Sequence, residues 1–313
     1  TAFNIHVGGG LGRTPVISQL IKPNLAWPHL ITYLEAVLRV YNQLGRRDNK
    51  YKARIKILVK AMGAEAFATR VEKEWQFIKD NENTLNIEAV NRVKAFFISH
   101  DYESIDDQSS NAQLQSQRLE STAFSRWLDK NVQPHKQPGY AIVNLALKPT
   151  GIAPGDISDF QMEAIADLAD RFSGGLLRNT HHQNIVLADV KKTDLFELWQ
   201  DCESLAIATP NLGYLSDPIC CPGGDYCALA NAKSIPIAEA VQRQFDDLDY
   251  LYDLGPIDLN ISGCMNACGH HHVGHIGILG VDKKGKEFYQ ISLGGNMSRD
   301  CLLYTSDAAD EGL

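Results

Sequence analysis

The chain has 313 residues, 44 % hydrophobic and 22 % charged, which is enough apolar material for one large domain or two to three smaller ones. No apolar run approaches the roughly 18 residues of a membrane helix, and a net charge of −8 argues against general nucleic-acid binding. Seven cysteines are too few for a disulfide scaffold, yet five of them fall between Cys220 and Cys268. Clustering of that kind points to metal binding or redox chemistry.

Taken in order, Phe3-Asn4-Ile5-His6-Val7 alternates with the period of a half-buried strand and runs into Gly8-Gly9-Gly10. Tyr289-Gln290-Ile291-Ser292-Leu293 does the same and runs into Gly294-Gly295-Asn296. The two segments read as the closing strands of two copies of one repeated unit. The body of the first copy is then expected upstream of Thr1, and the chain is expected to be a fragment. A cytoplasmic protein is expected; no signal peptide is visible, but with the true N-terminus expected upstream that absence proves nothing and leaves a targeting segment open.

Leu30, Ile31, Leu34, Val37, Leu38, Tyr41 and Leu44 fall on one helical face closed by Gly45. A second helix is expected from near Asn49, with Tyr51, Ile55, Leu58, Val59 and Met62 apolar and Gly63 as its stop. Phe67, Val71, Trp75 and Ile78 mark a third, and Ile87, Val90 and Phe97 a fourth. Residues 101–118, rich in Asp, Ser, Gln and Asn, read as a solvated linker or insertion.

A strand over Tyr140–Leu147 leads to a helix starting at Ser158 or Asp159, with Ile165, Leu168 and Phe172 inside. Strands near Gly175–Thr180 and Asn184–Val190 follow, then a helix from about Thr193 to Leu205. Strand, helix, strand, strand, helix is a ferredoxin-like arrangement. Cys202 lies on the apolar face of that last helix and reads as a core residue. Beyond Pro210 come a helix around Ser234–Phe245 and strands at Ile257–Ile261, His275–Val281 and Phe288–Leu293.

Cys221 and Cys227 have five residues between them, Cys264 and Cys268 three. The first pair encloses Pro222-Gly223-Gly224; Gly263 and Gly269 frame the second. Glycines there let backbone amides approach sulfur and donate to it, one way in which a protein tunes a reduction potential. Four thiolates suit either a tetrahedral zinc or an iron–sulfur cluster, and the five-residue gap is wider than the usual zinc pair. Cys220 competes with Cys221 for the first position, and spacing alone leaves both open.

Cys221-x5-Cys227 followed by Cys264-Met-Asn-Ala-Cys268-Gly resembles the signature of the sirohaem-dependent nitrite and sulfite reductases. The opening Phe3–Thr14 and the closing Leu293-Gly294-Gly295-Asn296 resemble the same family, over essentially all of residues 1–300. The resemblance implies an α+β fold: a ferredoxin-like half-domain plus an α/β unit binding sirohaem and a 4Fe–4S cluster, internally duplicated and truncated at the N-terminus. It divides the chain into the end of a first sirohaem unit (1–100), a linker (101–137), the ferredoxin-like half (138–207) and the cysteine unit (208–300). It also implies Cys221 rather than Cys220, with Cys227, Cys264 and Cys268 as the other cluster ligands. Cys268 is implied to bridge to the sirohaem iron as well, so that one sulfur couples the electron store to the metal where bonds break. Asn266, inside the second pair, is implied to contact the cofactor.

The segment from Arg46 to Lys56 carries six positive charges and one negative in eleven residues. Several are expected in the first turn of a helix, where the macrodipole favours acids, a conflict best tolerated when an anion occupies the site. The alternative is a solvated basic face. The resemblance places this segment beside the carboxylate-rich sirohaem, which makes Lys50, Lys52 and Arg54 candidates. Arg178, Gln183 and Asn184 resemble the family's Arg-x4-Gln-Asn turn toward the cofactor, the alternative being a surface hairpin. His270, His271, His272 and His275 invite a metal reading, but His275 opens a strand; cofactor contact or proton supply by His270 is preferred.

The expected activity is the six-electron reduction of sulfite to sulfide, or of nitrite to ammonia, with ferredoxin or a flavoprotein as donor. The resemblance implies further substrate-binding Arg and Lys upstream of Thr1, so this fragment alone is expected to be inactive. A non-haem electron-transfer or zinc-binding module is the alternative of another class. Cys301 to Glu311 resembles the in-frame translation of a sequencing adapter, and residues 301–313 are set aside on that ground.

Overall fold

The computed structural model describes residues 1–97 and 101–297, in two compact units divided near residue 99. The adapter-like segment lies outside the described residues. No helix among the described residues is long and apolar enough to cross a membrane.

The first unit opens with β1 (Ala2–Val7) and β2 (Gln19–Ala26), an antiparallel pair with irregular register near Ile5. Four helices follow: α1 (Leu30–Leu44), α2 (Ile55–Met62), α3 (Ala64–Ile78) and α4 (Ile87–Lys94). Their core joins Ile5, Ile21 and Leu25 to Tyr33, Val37 and Val40 of α1 and to Phe67, Val71, Trp75 and Ile78 of α3. The Trp75 indole N–H donates to Thr32 Oγ1 at 3.0 Å, so the largest ring in this core is also satisfied as a donor.

Three details differ from the sequence reading. The buried face of α1 is Tyr33, Ala36, Val37 and Val40, whereas Ile31, Leu34 and Leu38 are exposed. Both stripes are apolar at helical spacing, and α3 covers only one of them. Helix α2 begins at Ile55, because residues 49–54 are spent on turns in which Asn49 accepts from Tyr51 N–H and Lys52 N–H. Helix α4 buries nothing, and Phe97 lies past its end, exposed.

The second unit begins with α5 (Asp107–Glu120) and α6 (Thr122–Asn131). Residues 107–120 are thus a helix rather than a solvated linker. Its stability comes from ties to distant residues: Asp107 accepts from Gly139 N–H at 2.8 Å and from Lys192 Nζ at 2.6 Å. A helix polar on most of its surface gives no amphipathic signal. Then come β3 (Val132–Pro134), β4 (Tyr140–Leu145), α7 (Asp159–Phe172), β5 (Leu177–Asn179), β6 (Ile185–Lys191) and α8 (Leu195–Ser204). The sheet is antiparallel in the order β3-β4-β6-β5, which is the ferredoxin-like arrangement expected. Ser158 caps α7 in a capping box with Gln161. Ile165, Leu168 and Phe172 are buried beneath it, and Cys202 is fully buried on α8.

The remainder carries β7 (Ile219–Cys220), α9 (Gly223–Tyr226), α10 (Ile235–Gln244), α11 (Leu248–Leu254), β8 (Leu259–Ser262), β9 (Ile276–Lys283) and β10 (Lys286–Leu293). Strands β7, β8 and β9 are parallel and β10 closes the sheet antiparallel to β9. All four residues of β8 are buried, as suits an inner parallel strand. The β9–β10 turn is Lys284-Gly285, both at positive φ, the conformation a two-residue hairpin requires. Strand β10 ends on Gly294 at φ +77°, as β1 ends on Gly8 at φ +86°. The two repeat segments therefore leave their strands through the same backbone conformation.

Candidate functional site: the cysteine loops

Cys221 follows β7, and its N–H donates to Ile261 O of β8 at 3.1 Å. Cys227 ends the short turn of α9, its N–H donating to Gly223 O at 2.9 Å. Cys264 comes two residues after β8, and Cys268 stands in the turn beyond, where Ala267 and His270 both take positive φ. Strand β8 thus positions both pairs, holding Cys221 from its side and launching Cys264 from its end.

The loops are fastened to each other through glycine. Gly263 O accepts from Asn231 N–H at 2.8 Å and Ala232 N–H at 3.0 Å, while Gly263 N–H donates to Cys221 Sγ at 3.1 Å. A Cβ on Gly263 would stand 2.7 Å from both Ala232 O and Gly223 Cα. On Gly269 it would fall 1.9 Å from Ile261 O, and Gly269 N–H donates instead to Ser262 Oγ at 3.1 Å. Only glycine permits these approaches. One of them gives a cysteine sulfur the amide donor that the glycine framing predicts.

One of the four thiols lies in the field of the other three. The Cys268 thiol is raised by burial first, then by Cys221, Cys264 and Cys227 in turn. Cys268 is nonetheless the exposed member; Cys264 is buried and the other two are half-buried. Tyr226, Leu229 and Met265, each beside or near a cysteine in sequence, are exposed as well. Among the described residues no three His, Cys, Asp or Glu side chains converge closely enough to hold one metal ion. A cubane places its four thiolates on four separate irons and does not ask them to meet at a point.

Cys220 is a different kind of cysteine. Its side chain is 3 % exposed within the core of the second sheet, and burial pushes its thiol up to about 12. Its backbone is clamped on both sides by one side chain: Gln183 Nε2 donates to Cys220 O and Gln183 Oε1 accepts from Cys220 N–H, each at 2.8 Å.

The other expected site residues fall in three groups. Gln183 and Asn184 are occupied within the protein, Asn184 being buried, accepting from Leu147 N–H at 3.0 Å and donating to Asp217 Oδ1 at 3.2 Å. Arg178 is exposed on β5, and Asn266 is exposed beside the second pair. His270 is half-buried and holds the turn through its backbone, its O accepting from Asn260 Nδ2. Lys50, Lys52 and Arg54 belong to the first unit, exposed and ahead of α2 rather than in its first turn. The one cation inside that turn is Lys56, which donates to Leu11 O and Thr14 O at 2.8 Å each. Its charge is met by two carbonyls, which removes the supposed conflict with the helix dipole.

Lys148 escaped the sequence reading, and His271 enters it only as one of four histidines that invite a metal. Lys148 is 1 % exposed and donates to Asp217 Oδ1 at 2.6 Å and to His182 O. His271 is 3 % exposed, and neither ring nitrogen has a hydrogen-bond partner; burial first, then His272, pushes it down to about 4.

Comparison with known proteins adds what geometry alone does not. Residues 1–79 match the family model described as the nitrite and sulphite reductase 4Fe-4S domain, and residues 133–205 match the nitrite/sulfite reductase ferredoxin-like half domain. Both matches, to separate stretches of the chain, support the nitrite/sulfite reductase family. A protein named sulfite reductase (ferredoxin) 1 from Mycolicibacterium paratuberculosis is 24 % identical over 306 residues, 94 % of this chain and 47 % of its own length. A chloroplastic ferredoxin–nitrite reductase of Arabidopsis thaliana is 26 % identical over 296 residues, 91 % and 42 %. The solved structure of the Mycobacterium tuberculosis NirA protein shares the fold with a TM-score of 0.67 at 23 % identity, covering 96 % of this chain and 49 % of that one. The chain spans about half the length of the curated relatives it matches. The family's cofactors are a 4Fe–4S cluster and sirohaem. Residues 1–79 contain no cysteine, so every thiol of this chain lies outside the stretch that matches the 4Fe–4S model.

Proposed function

We propose that this chain supplies the cofactor-bearing cysteine unit of a sulfite reductase. The observation that carries the reading is the exposed Cys268 thiol within the field of Cys221, Cys264 and Cys227, none of which is exposed. Cys221, Cys227, Cys264 and Cys268 hold the cluster, and Gly263 N–H stabilises the Cys221 thiolate. Cys268 is the sulfur that can serve a second metal, because its outer side is open. When bound, the coupled cluster and sirohaem supply one-electron steps at an iron that accepts the oxyanion.

The chain's own residues bind and neutralise. Exposed Arg178 offers counter-charge to the carboxylates of the cofactor and to the anionic substrate. Asn266 lies exposed beside the bridging cysteine as a hydrogen-bond donor, and His270 is placed to pass protons as oxygen leaves as water. The partner is an electron donor, a ferredoxin or a flavoprotein. Sulfite is favoured by the sulfite-reductase character of the motifs and by the relative that carries that name.

The test is the visible spectrum and the iron and acid-labile sulfide content of the intact protein, purified from a host that makes sirohaem. A haem-type Soret band with long-wavelength chlorin absorption, both lost in Cys268→Ser, is expected. Faster turnover of sulfite than of nitrite is expected on the same sample, and the reverse order would reassign the substrate. A colourless protein holding zinc would sink the reductase reading.

A further inference from the structure

The buried ion pair between Lys148 and Asp217 lies outside the cysteine site and binds none of its groups. Lys148 follows β4, and its ammonium is held by Asp217 Oδ1 and the carbonyl of His182. Asp217 takes a second donor at Oδ1 from Asn184 and accepts from Gly213 N–H through Oδ2 at 2.9 Å. The pair therefore fastens three pieces of chain at one point: the end of β4, the 182–184 turn and the segment entering β7. Gln183, inside that turn, then grips the Cys220 backbone with both polar atoms of its side-chain amide, Nε2 donating and Oε1 accepting, and Cys221 is the next residue.

A pair of apolar side chains could fill the same volume without the cost of desolvating two charges. What charges add is direction, since each bond to Lys148 or Asp217 fixes an orientation that packing leaves free. We propose that the Lys148–Asp217 pair is a positioning device for Cys221, setting through Gln183 where the first cluster ligand stands. The inference rests on the cluster reading above.

The test compares Lys148→Met with Leu198→Ala, a cavity substitution in the fully buried core of the ferredoxin-like half. Melting temperature, iron and sulfide per folded chain, and the EPR-monitored midpoint potential of the cluster are measured on the full chain. Lys148→Met is expected to lose cluster several-fold and to shift the potential of the remaining clusters. Leu198→Ala is expected to lower the melting temperature while leaving wild-type potential. If both variants change cluster content and potential only in step with melting, or if Lys148→Met matches wild type, the proposal is overturned.

Should Lys148→Met fail to fold, Gln183→Ala leaves the buried pair intact and cuts only its link to Cys220. In cluster-free chain, iodoacetamide is expected to alkylate Cys221 about fivefold faster in this variant than in wild type, while Cys268 is unchanged. An unchanged Cys221 rate overturns the proposal. Wild-type protein without iron or sulfide would defeat the cluster reading instead, and the alkylation comparison would still decide whether the pair positions Cys221.

Discussion

In the ferredoxin-like part of the chain, apolar burial makes almost every structural decision; around the cysteines, close backbone approach makes them. Phe124, Trp127, Val143, Leu145, Leu187, Val190 and Leu198 share one dry core, and Ser121 and Ser158 cap the helices that carry part of it. The cysteine loops rest on Gly263, Gly269 and Gly277, where a Cβ would come within 2.7, 1.9 and 2.0 Å of a backbone oxygen. They also contain Ala267 and His270 in the left-handed region. A core adjusts to a changed side chain by partial collapse. A backbone crossing has nowhere to collapse to, so the second region is the more brittle although its core is smaller.

This contrast can be broken at its strongest point by Gly269→Ala. Its added methyl meets the Ile261 carbonyl at 1.9 Å, and a loss above about 4 kcal/mol is expected, with the cysteine unit no longer folded and no iron bound. Near-UV dichroism and iron content check it. Trp127→Ala comes next, at about 3–5 kcal/mol by denaturant titration. Iron per folded chain is expected to stay at the wild-type value, and a disproportionate loss would show that the two regions are not separable.

A pH effect of intermediate size is expected from His271, whose buried ring is pushed down to about 4. The unfolded chain takes up this proton near pH 6.5 and the folded chain does not. Stability from the neutral ring is therefore complete above about 6.5 and lost as pH falls toward 4, by up to about 3 kcal/mol. Urea midpoints of cluster-free protein at pH 7 and pH 4.5 measure it; a slope unchanged in His271→Phe would refute the assignment. The smallest expected change is Ser158→Ala, about 1 kcal/mol in the melting of the ferredoxin-like half and none in cluster content.

What the sequence disclosed follows the same division. Helix α7 was legible because Ser158, Gln161, Ile165, Leu168 and Phe172 carry cap and stripe within one local segment. The cysteine spacing and its glycines were legible because both are chemical requirements with few alternatives. Helix α1 presented two apolar stripes, and the choice between them belongs to α3, which no local pattern contains. Helix α5 is held through Gly139 and Lys192, remote in sequence, so its polar composition imitated a linker. Lys148 was invisible for a related reason: its burial depends on an acid 69 residues away. The same applies to the grip of Gln183 on the backbone of Cys220, 37 residues away.

Cys220 and Cys221 stand side by side ahead of the same gap, so an assembling cluster meets two registers differing by a single residue. The wrong register would be a kinetic trap, since a misplaced iron–thiolate bond must dissociate before the loop can be rewound. Here the inward neighbour is sealed in the sheet with its thiol held near pKa 12, and its peptide is gripped by Gln183. Burial and that grip hold its sulfur inside the sheet. On the cluster reading proposed above, the register of assembly is then set before any metal arrives, and loss of Cys221 leaves no spare ligand to take its place.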